Sequence, residues 1–171
     1  MLGSKHYIDT QLKPFTRHTG PSLSPFNAWV LLKSLETMSM RVNKMADTAF
    51  EVASALETAP GVLRVHHPFL ASHPAQALAK KQMLKGGTTL AIEVESKAKA
   101  FALMNALEVI DISNNLGDSR SLITHPASST HRRLDPETQL KMGITAGTLR
   151  LSVGLEHPQD LIQDLLLALK R

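Results

Sequence analysis

Thr148-Leu149-Arg150-Leu151-Ser152-Val153-Gly154 decides the fold class of this chain. In an extended segment side chains alternate, so Leu149, Leu151 and Val153 share one side and Thr148, Arg150 and Ser152 the other. The same alternation recurs at 88–94, where Leu90, Ile92 and Val94 oppose Thr89, Ala91 and Glu93. A half-apolar strand rests one face on a core and leaves the other wet, the habit of antiparallel sheets. Shorter strands are expected at 62–66, 108–112 and 121–124. Between them the pattern turns helical. One helix covers 74–84 and stops at Gly86-Gly87. A second is capped by Ser96 and carries Ala100, Leu103, Met104 and Leu107. A third opens at Asp135-Pro136-Glu137, and the last spans 158–170 with Leu161, Ile162, Leu165 and Leu169 in line. No Gly-rich β-α-β fingerprint occurs. The order predicts an α+β fold, a small and mostly antiparallel sheet covered by helices.

Upstream lies a longer helical pattern. Ser24 is a good N-cap and Pro25 suits the first helical position, where its missing N–H costs nothing. Trp29, Leu32, Leu35, Val42, Met45, Ala49, Val52 and Leu56 follow at helical spacing, and Pro60-Gly61 ends the run. An unbroken helix of ~33 residues would be ~50 Å long, beyond the typical globular helix, which leaves room for a break near Thr37–Met40. The chain divides into an irregular lead-in at 1–23, a long bridging helix at 24–58 and an α+β domain at 59–171.

Composition excludes several functions. With 171 residues the chain can bury a core unaided, and 43% apolar against 20% charged residues is a globular balance. Aromatics are 4%, too few for a reader that stacks nucleic-acid bases. The formal charge of +4 comes from scattered residues and short pairs such as Lys80-Lys81, Arg132-Arg133 and Lys170-Arg171. No basic stripe emerges, so neither nucleic acid nor an anionic membrane is an expected partner. The lack of cysteine removes disulfides, zinc ribbons and a thiol nucleophile. No apolar run approaches the ~18 residues of a membrane span, and Met1–Tyr7 holds no secretory apolar stretch, so a cytoplasmic protein is expected.

Candidate chemistry is sparse. No pair among the eight histidines has metal-site spacing, and His67, His73, His125 and His157 each precede proline, which favours extended turns over ligand faces. Gly86-Gly87 and Gly117 match no phosphate-binding loop. Arg150 is the informative residue. On a strand it could be either a solvated arginine or a rigid fork that grips a carboxylate through two parallel N–H···O bonds. Asn114 and Asn115, in a Gly-containing loop, could add amide donors to the same anion.

Two stretches carry a specific resemblance. Ser113-Asn114-Asn115-Leu116-Gly117-Asp118-Ser119-Arg120-Ser121-Leu122-Ile123-Thr124-His125-Pro126-Ala127-Ser128-Ser129-Thr130-His131, with Gly147–Glu156, strongly resembles the Cys/Met-metabolism family of pyridoxal-phosphate enzymes. Gly20–Trp29, Ser72-His73-Pro74, Gln82-Met83 and Gly86-Gly87 fit the same family, so the resemblance spans essentially the whole chain. Within the family, Asn-Asn-Leu-Gly-Asp-Ser-Arg-Ser-Leu looks closest to the sulfhydrylases that act on succinylated homoserine.

The resemblance implies the C-terminal domain of a fold-type I, aspartate-aminotransferase-like enzyme, with 1–23 leading in from a large domain and 59–171 binding substrate. It implies that Arg150 holds the substrate α-carboxylate, that Asn115 adds a hydrogen bond to it, and that Thr130 lies near the pocket. It implies γ-replacement of succinate by sulfide to give homocysteine in methionine biosynthesis, and a homo-oligomer, tetrameric in the family. Pyridoxal 5'-phosphate is the implied cofactor. Its lysine sits in a Ser-x-Thr-Lys motif that the family carries upstream of the stretch resembling Leu2-Gly3-Ser4-Lys5, and these 171 residues contain no such motif. No catalytic, cofactor-binding or metal-binding residue is therefore assigned within the chain, which is expected to be inactive alone. The alternative is an autonomous α+β carboxylate-binding or assembly module without catalysis.

Overall fold

A computed structural model describes residues 2–171 of the chain. These form two compact units, up to Met38 and from Ser39 to Arg171.

The first unit corrects the expectation of an irregular lead-in. The chain is helical over α1 (Lys5–Tyr7), a π-helical stretch at Ile8–Leu12 and α2 (Lys13–Thr19). Ser4 caps the start by accepting from the Tyr7 N–H at 3.2 Å. Proline disfavours a helix because its ring meets the carbonyl four residues back. Here the wider π turn comes just before Pro14, which relieves that collision. Gly20 closes the helix in the left-handed region at φ 73°, a conformation glycine adopts without a Cβ penalty. Helix α3 (Pro25–Glu36) follows, and Ser24 accepts from the Asn27 N–H as its cap. No residue of α3 is buried.

The long helical run is broken at Thr37, a turn residue with φ −103° and ψ 1°. The predicted bridging helix is thus two helices, and most of the second, α4 (Met38–Leu56), belongs to the larger unit.

That unit holds a five-stranded sheet made of β1 (Val62–His66), β2 (Thr89–Val94), β3 (Asp111–Ile112), β4 (Leu122–Thr124) and β5 (Thr148–Ser152), in the order β1-β2-β5-β4-β3. Three of the pairings are antiparallel, and the edge pair β3–β4 is parallel. Strand β3 is shorter than the predicted 108–112, because the N–H groups of Glu108, Val109 and Ile110 bond the Asp164 carboxylate instead of a neighbouring strand.

The alternation of β2 and β5 builds the core. Leu90 opposes Leu151 and Ile92 opposes Leu149, with Val65 and Ile123 alongside. Helices α4, α6 (Lys97–Ala106) and α8 (Pro158–Ala168) close over this face with Ala49, Val52, Leu56, Leu103, Leu161 and Leu165. Short helices α5 (Gln76–Gln82) and α7 (Pro136–Lys141) complete the unit.

The opposite face of β5 was expected to be wet and is not. Thr148 and Ser152 are 7% and 0% exposed. The loops that follow β3 and precede β5 fold back on them: Gly117 donates its N–H to Ser152 Oγ at 3.0 Å, and Thr145 donates to Thr148 Oγ1 at 2.8 Å.

Candidate functional site

Arg150 lies at the middle of the central strand. Its Cα partners are Ala91 on β2 and Thr124 on β4, so the alternation of three strands fixes which face it leaves from. The guanidinium donates from Nη2 to the main-chain carbonyls of Asn114 at 2.9 Å and Asn115 at 3.2 Å. Its Nε is buried without a partner, and no ion pair engages the side chain among the described residues. A guanidinium has five N–H donors, so two carbonyls leave part of the fork unspent. An orphaned buried donor costs free energy until an acceptor arrives.

The loop beside Arg150 is built by its own sequence. Ser113 donates its N–H to the Ile123 carbonyl and accepts from the Asn115 N–H at 3.2 Å. Gly117 is pinned to Ser152. Further on, Glu156 accepts from the Ser121 N–H at 2.7 Å and the Ser121 hydroxyl at 2.8 Å, while Ser121 Oγ accepts from the Gly154 N–H. Gly154 has no side-chain alternative here, since a Cβ would run into the main chain of Ser119 and Arg120. Asp118 is exposed, and the N–H of Arg120 with the Ser119 hydroxyl holds its carboxyl below the usual range.

A second wall comes from the turn after β4. His125 Nε2 meets the Ala146 carbonyl at 2.9 Å, so Nε2 carries the proton and Nδ1 accepts from the Ser128 hydroxyl at 2.8 Å. Ser129 donates to the His125 carbonyl at 2.7 Å and accepts from the Thr124 hydroxyl. These bonds present Asn114, Ser128, Ser129, Thr130, Arg132 and Arg133 around an open cavity of about 480 Å³.

Of the predicted residues only Thr130 lines this cavity; Arg150 and Asn115 do not, and Arg150 reaches it through the Asn114 carbonyl that it holds. Arg150 and Asn115 touch, though through the asparagine's main chain, and it is Asn114 that lines the cavity, with Thr130. The alternation at 148–153 located Arg150, whereas nothing in the spacing flagged the Arg132-Arg133 pair as cavity-lining. His67 and His125 start turns, their carbonyls accepting from the Leu70 and Ser128 N–H groups, and at 0% and 2% exposure they are buried there. Among the described residues no group of three or more His, Asp or Glu could hold a metal, and no helix is long and apolar enough to cross a membrane.

The fold is that of the fold-type I pyridoxal-phosphate enzymes. The chain superposes on a crystal structure of an O-acetylhomoserine (thiol)-lyase from Campylobacter jejuni that carries a pyridoxyl-lysine phosphate, with TM-score 0.90, 38% identity, and coverage of 99% of this chain and 41% of the other. Cystathionine γ-synthase from Xanthomonas oryzae, solved with aminoacrylate and cysteine, matches with TM-score 0.85 and 34% identity over 99% of this chain and 44% of its own. The family model for Cys/Met metabolism PLP-dependent enzymes matches residues 1–170, and the chain belongs to that family. It is similar to O-succinylhomoserine sulfhydrylase of Mycobacterium tuberculosis, 46% identical over 96% of this chain, and to that of Pseudomonas aeruginosa, 40% identical over 88%. The chain spans 42% and 38% of the length of these two relatives.

Proposed function

We propose that these residues are the C-terminal, substrate-binding part of a homoserine-ester sulfhydrylase that replaces the γ-succinyl group with sulfide, yielding homocysteine for methionine biosynthesis. The observation that carries this reading is the half-spent Arg150 fork on the central strand, with its buried, unpartnered Nε. A planar fork matches a carboxylate in two parallel bonds, and a strand holds it without the slack of a loop.

Pyridoxal phosphate, when bound in family enzymes, supplies an electron sink for the amino acid's α-carbon. The residues here fit the substrate end of such a site rather than the cofactor end. The cavity walls include no lysine, and the sequence holds no Ser-x-Thr-Lys. What this chain does is orient. Arg150 fixes the α-carboxylate, which sets the direction of the Cα–H bond, and the 113–117 loop fixes Arg150. A cytoplasmic homo-oligomer is part of the same proposal and rests on the family.

Titration of the 171-residue chain with O-succinyl-L-homoserine, followed at the Arg150 Nε–H resonance, tests the reading. The expected result is a saturable shift that vanishes in Arg150→Ala and is poorly restored in Arg150→Lys. An unmoved Nε–H at saturating ligand overturns it.

A further inference from the structure

We infer that Arg132 and Arg133 form a second anion subsite, one that binds the terminal carboxylate of a substrate's dicarboxylic half-ester. This rests on the reading of Arg150 as the α-carboxylate fork and adds a residue pair that chooses between ester types.

Both arginines line the 480 Å³ cavity, and none of its six lining residues is acidic. No ion pair or side-chain hydrogen bond engages either guanidinium among the described residues. The nearest acid in sequence, Asp135, is committed elsewhere. Its two oxygens accept from the Thr138 N–H at 3.0 Å and the Thr138 hydroxyl at 2.7 Å, starting α7. Asn114 also lines the cavity, and its carbonyl is held by Arg150. Two guanidinium groups thus line one polar hollow without any counter-charge among the described residues, and a third, that of Arg150, holds its Asn114 wall.

Adjacent cations with no partner repel one another and contribute nothing to the fold. The arrangement becomes favourable when an anion enters. A substrate with one carboxylate satisfies Arg150 and leaves the pair bare. A succinyl ester carries a second carboxylate at its far end and satisfies both. An acetyl ester ends in a methyl, which gains nothing among arginines and hydroxyls. The neighbouring hydroxyls bond elsewhere: Ser128 to His125, Ser129 to Thr124 and His125, and Thr130 to the His131 ring.

The test titrates the full 171-residue chain with O-succinyl-L-homoserine, O-acetyl-L-homoserine and sulfate at matched ionic strength, read by amide and arginine side-chain NMR shifts. The succinyl ester is expected to bind ~10-fold or more tightly than the acetyl ester, the effect of one added charge-assisted bond. In the Arg132→Ala/Arg133→Ala double variant the two esters should bind alike, through loss at the succinyl ester alone. Both arginines are exposed, so the variant keeps the fold. Equal affinities in the wild-type chain, a preference that survives the double substitution, unmoved Arg132 and Arg133 resonances, or sulfate binding as tightly as the succinyl ester would each overturn the inference. Arg150→Ala separates the two readings. Weakening of both esters with the preference intact supports both. Unchanged acetyl-ester binding removes Arg150 as the carboxylate fork, while the ester preference still decides the subsite.

Discussion

Arg150 donates a 2.9 Å hydrogen bond to the main-chain carbonyl of Asn114, so the residue proposed to grip substrate also anchors the loop that walls the cavity. Substitution therefore removes two things at once. In the cofactor-loaded enzyme, Arg150→Ala should lower kcat/KM ~10–100-fold or more, from a charge-assisted bond of about 1.5–3 kcal/mol. Arg150→Lys keeps the charge but not the two-pronged geometry, and should recover little. Steady-state kinetics with a homoserine ester check this. A lysine variant near wild-type rate would show that charge alone suffices.

Much of this architecture was legible because period-two alternation is a strong signal. Leu149, Leu151 and Val153 against Leu90, Ile92 and Val94 gave the two central strands and their buried face. The cap residues Ser24, Ser96 and Asp135 gave three helix starts. What alternation cannot give is the cover on the far face. Ser152 looked solvated, yet a main-chain donor from Gly117 buries it, and that partner lies 35 residues away. The same holds for His125, whose partner Ala146 is distant in sequence, and for Arg132 and Arg133, placed by the turns around Ser128 and Ser129. The N-terminal helix offers no such signal: none of its residues is buried, so no apolar stripe marks it, and Pro14 is accommodated by the π turn before it.

Stability should depend on pH through His67. Burial holds its pKa below 6.5 in the folded chain, and His66 beside it is lowered as well, chiefly by burial and by Arg64. The folded state thus binds fewer protons than the unfolded one below the unfolded pKa. Stability is fully present above about pH 6.5 and declines as pH falls through the window beneath it. Urea midpoints at pH 7.5 and pH 5.5 should differ less in His67→Phe than in wild type. An unchanged difference would assign the effect to other groups.

Gly147 accepts the Val94 N–H on its carbonyl at 3.1 Å, and a Cβ at this glycine would strike the Val94 carbonyl. The obstacle is backbone, which cannot swing aside as a side chain can. Gly147→Ala should separate the start of β5 from β2 and destabilise the chain by about 1–3 kcal/mol. Chemical denaturation measures the loss, and slow amide exchange at Val94 should be lost with it.

The proposed homo-oligomer has a physical handle on α3. Trp29, Leu32 and Leu35 are 56%, 60% and 58% exposed. Apolar surface of this kind is rarely left bare. The chain should self-associate, and Leu32→Glu with Leu35→Glu should shift sedimentation velocity profiles toward a slower species. A wild-type monomer at high concentration would count against an oligomer held by this helix.

Asp164 offers the sharpest stability test. It is 7% exposed, on α8, and its carboxylate accepts three consecutive main-chain N–H groups: Glu108 at 2.8 Å on Oδ1, Val109 and Ile110 at 3.0 Å each on Oδ2. These donors belong to the stretch that leads from α6 into β3, where no neighbouring strand takes them. One side chain therefore ties the last helix to the edge of the sheet. Asp164→Ala leaves buried N–H groups unpaired, at about 1–3 kcal/mol for each that stays so, with the larger bonds to a charged acceptor at the upper end. Asp164→Asn is nearly isosteric but turns one acceptor into an NH2 that faces N–H donors. It can serve Glu108 or the Val109–Ile110 pair, not both. The expected order of urea midpoints is wild type, then Asn, then Ala, with faster amide exchange at Val109 and Ile110 in both variants. An Asn variant as stable as wild type would mean that the three bonds do not hold the edge of the sheet in solution.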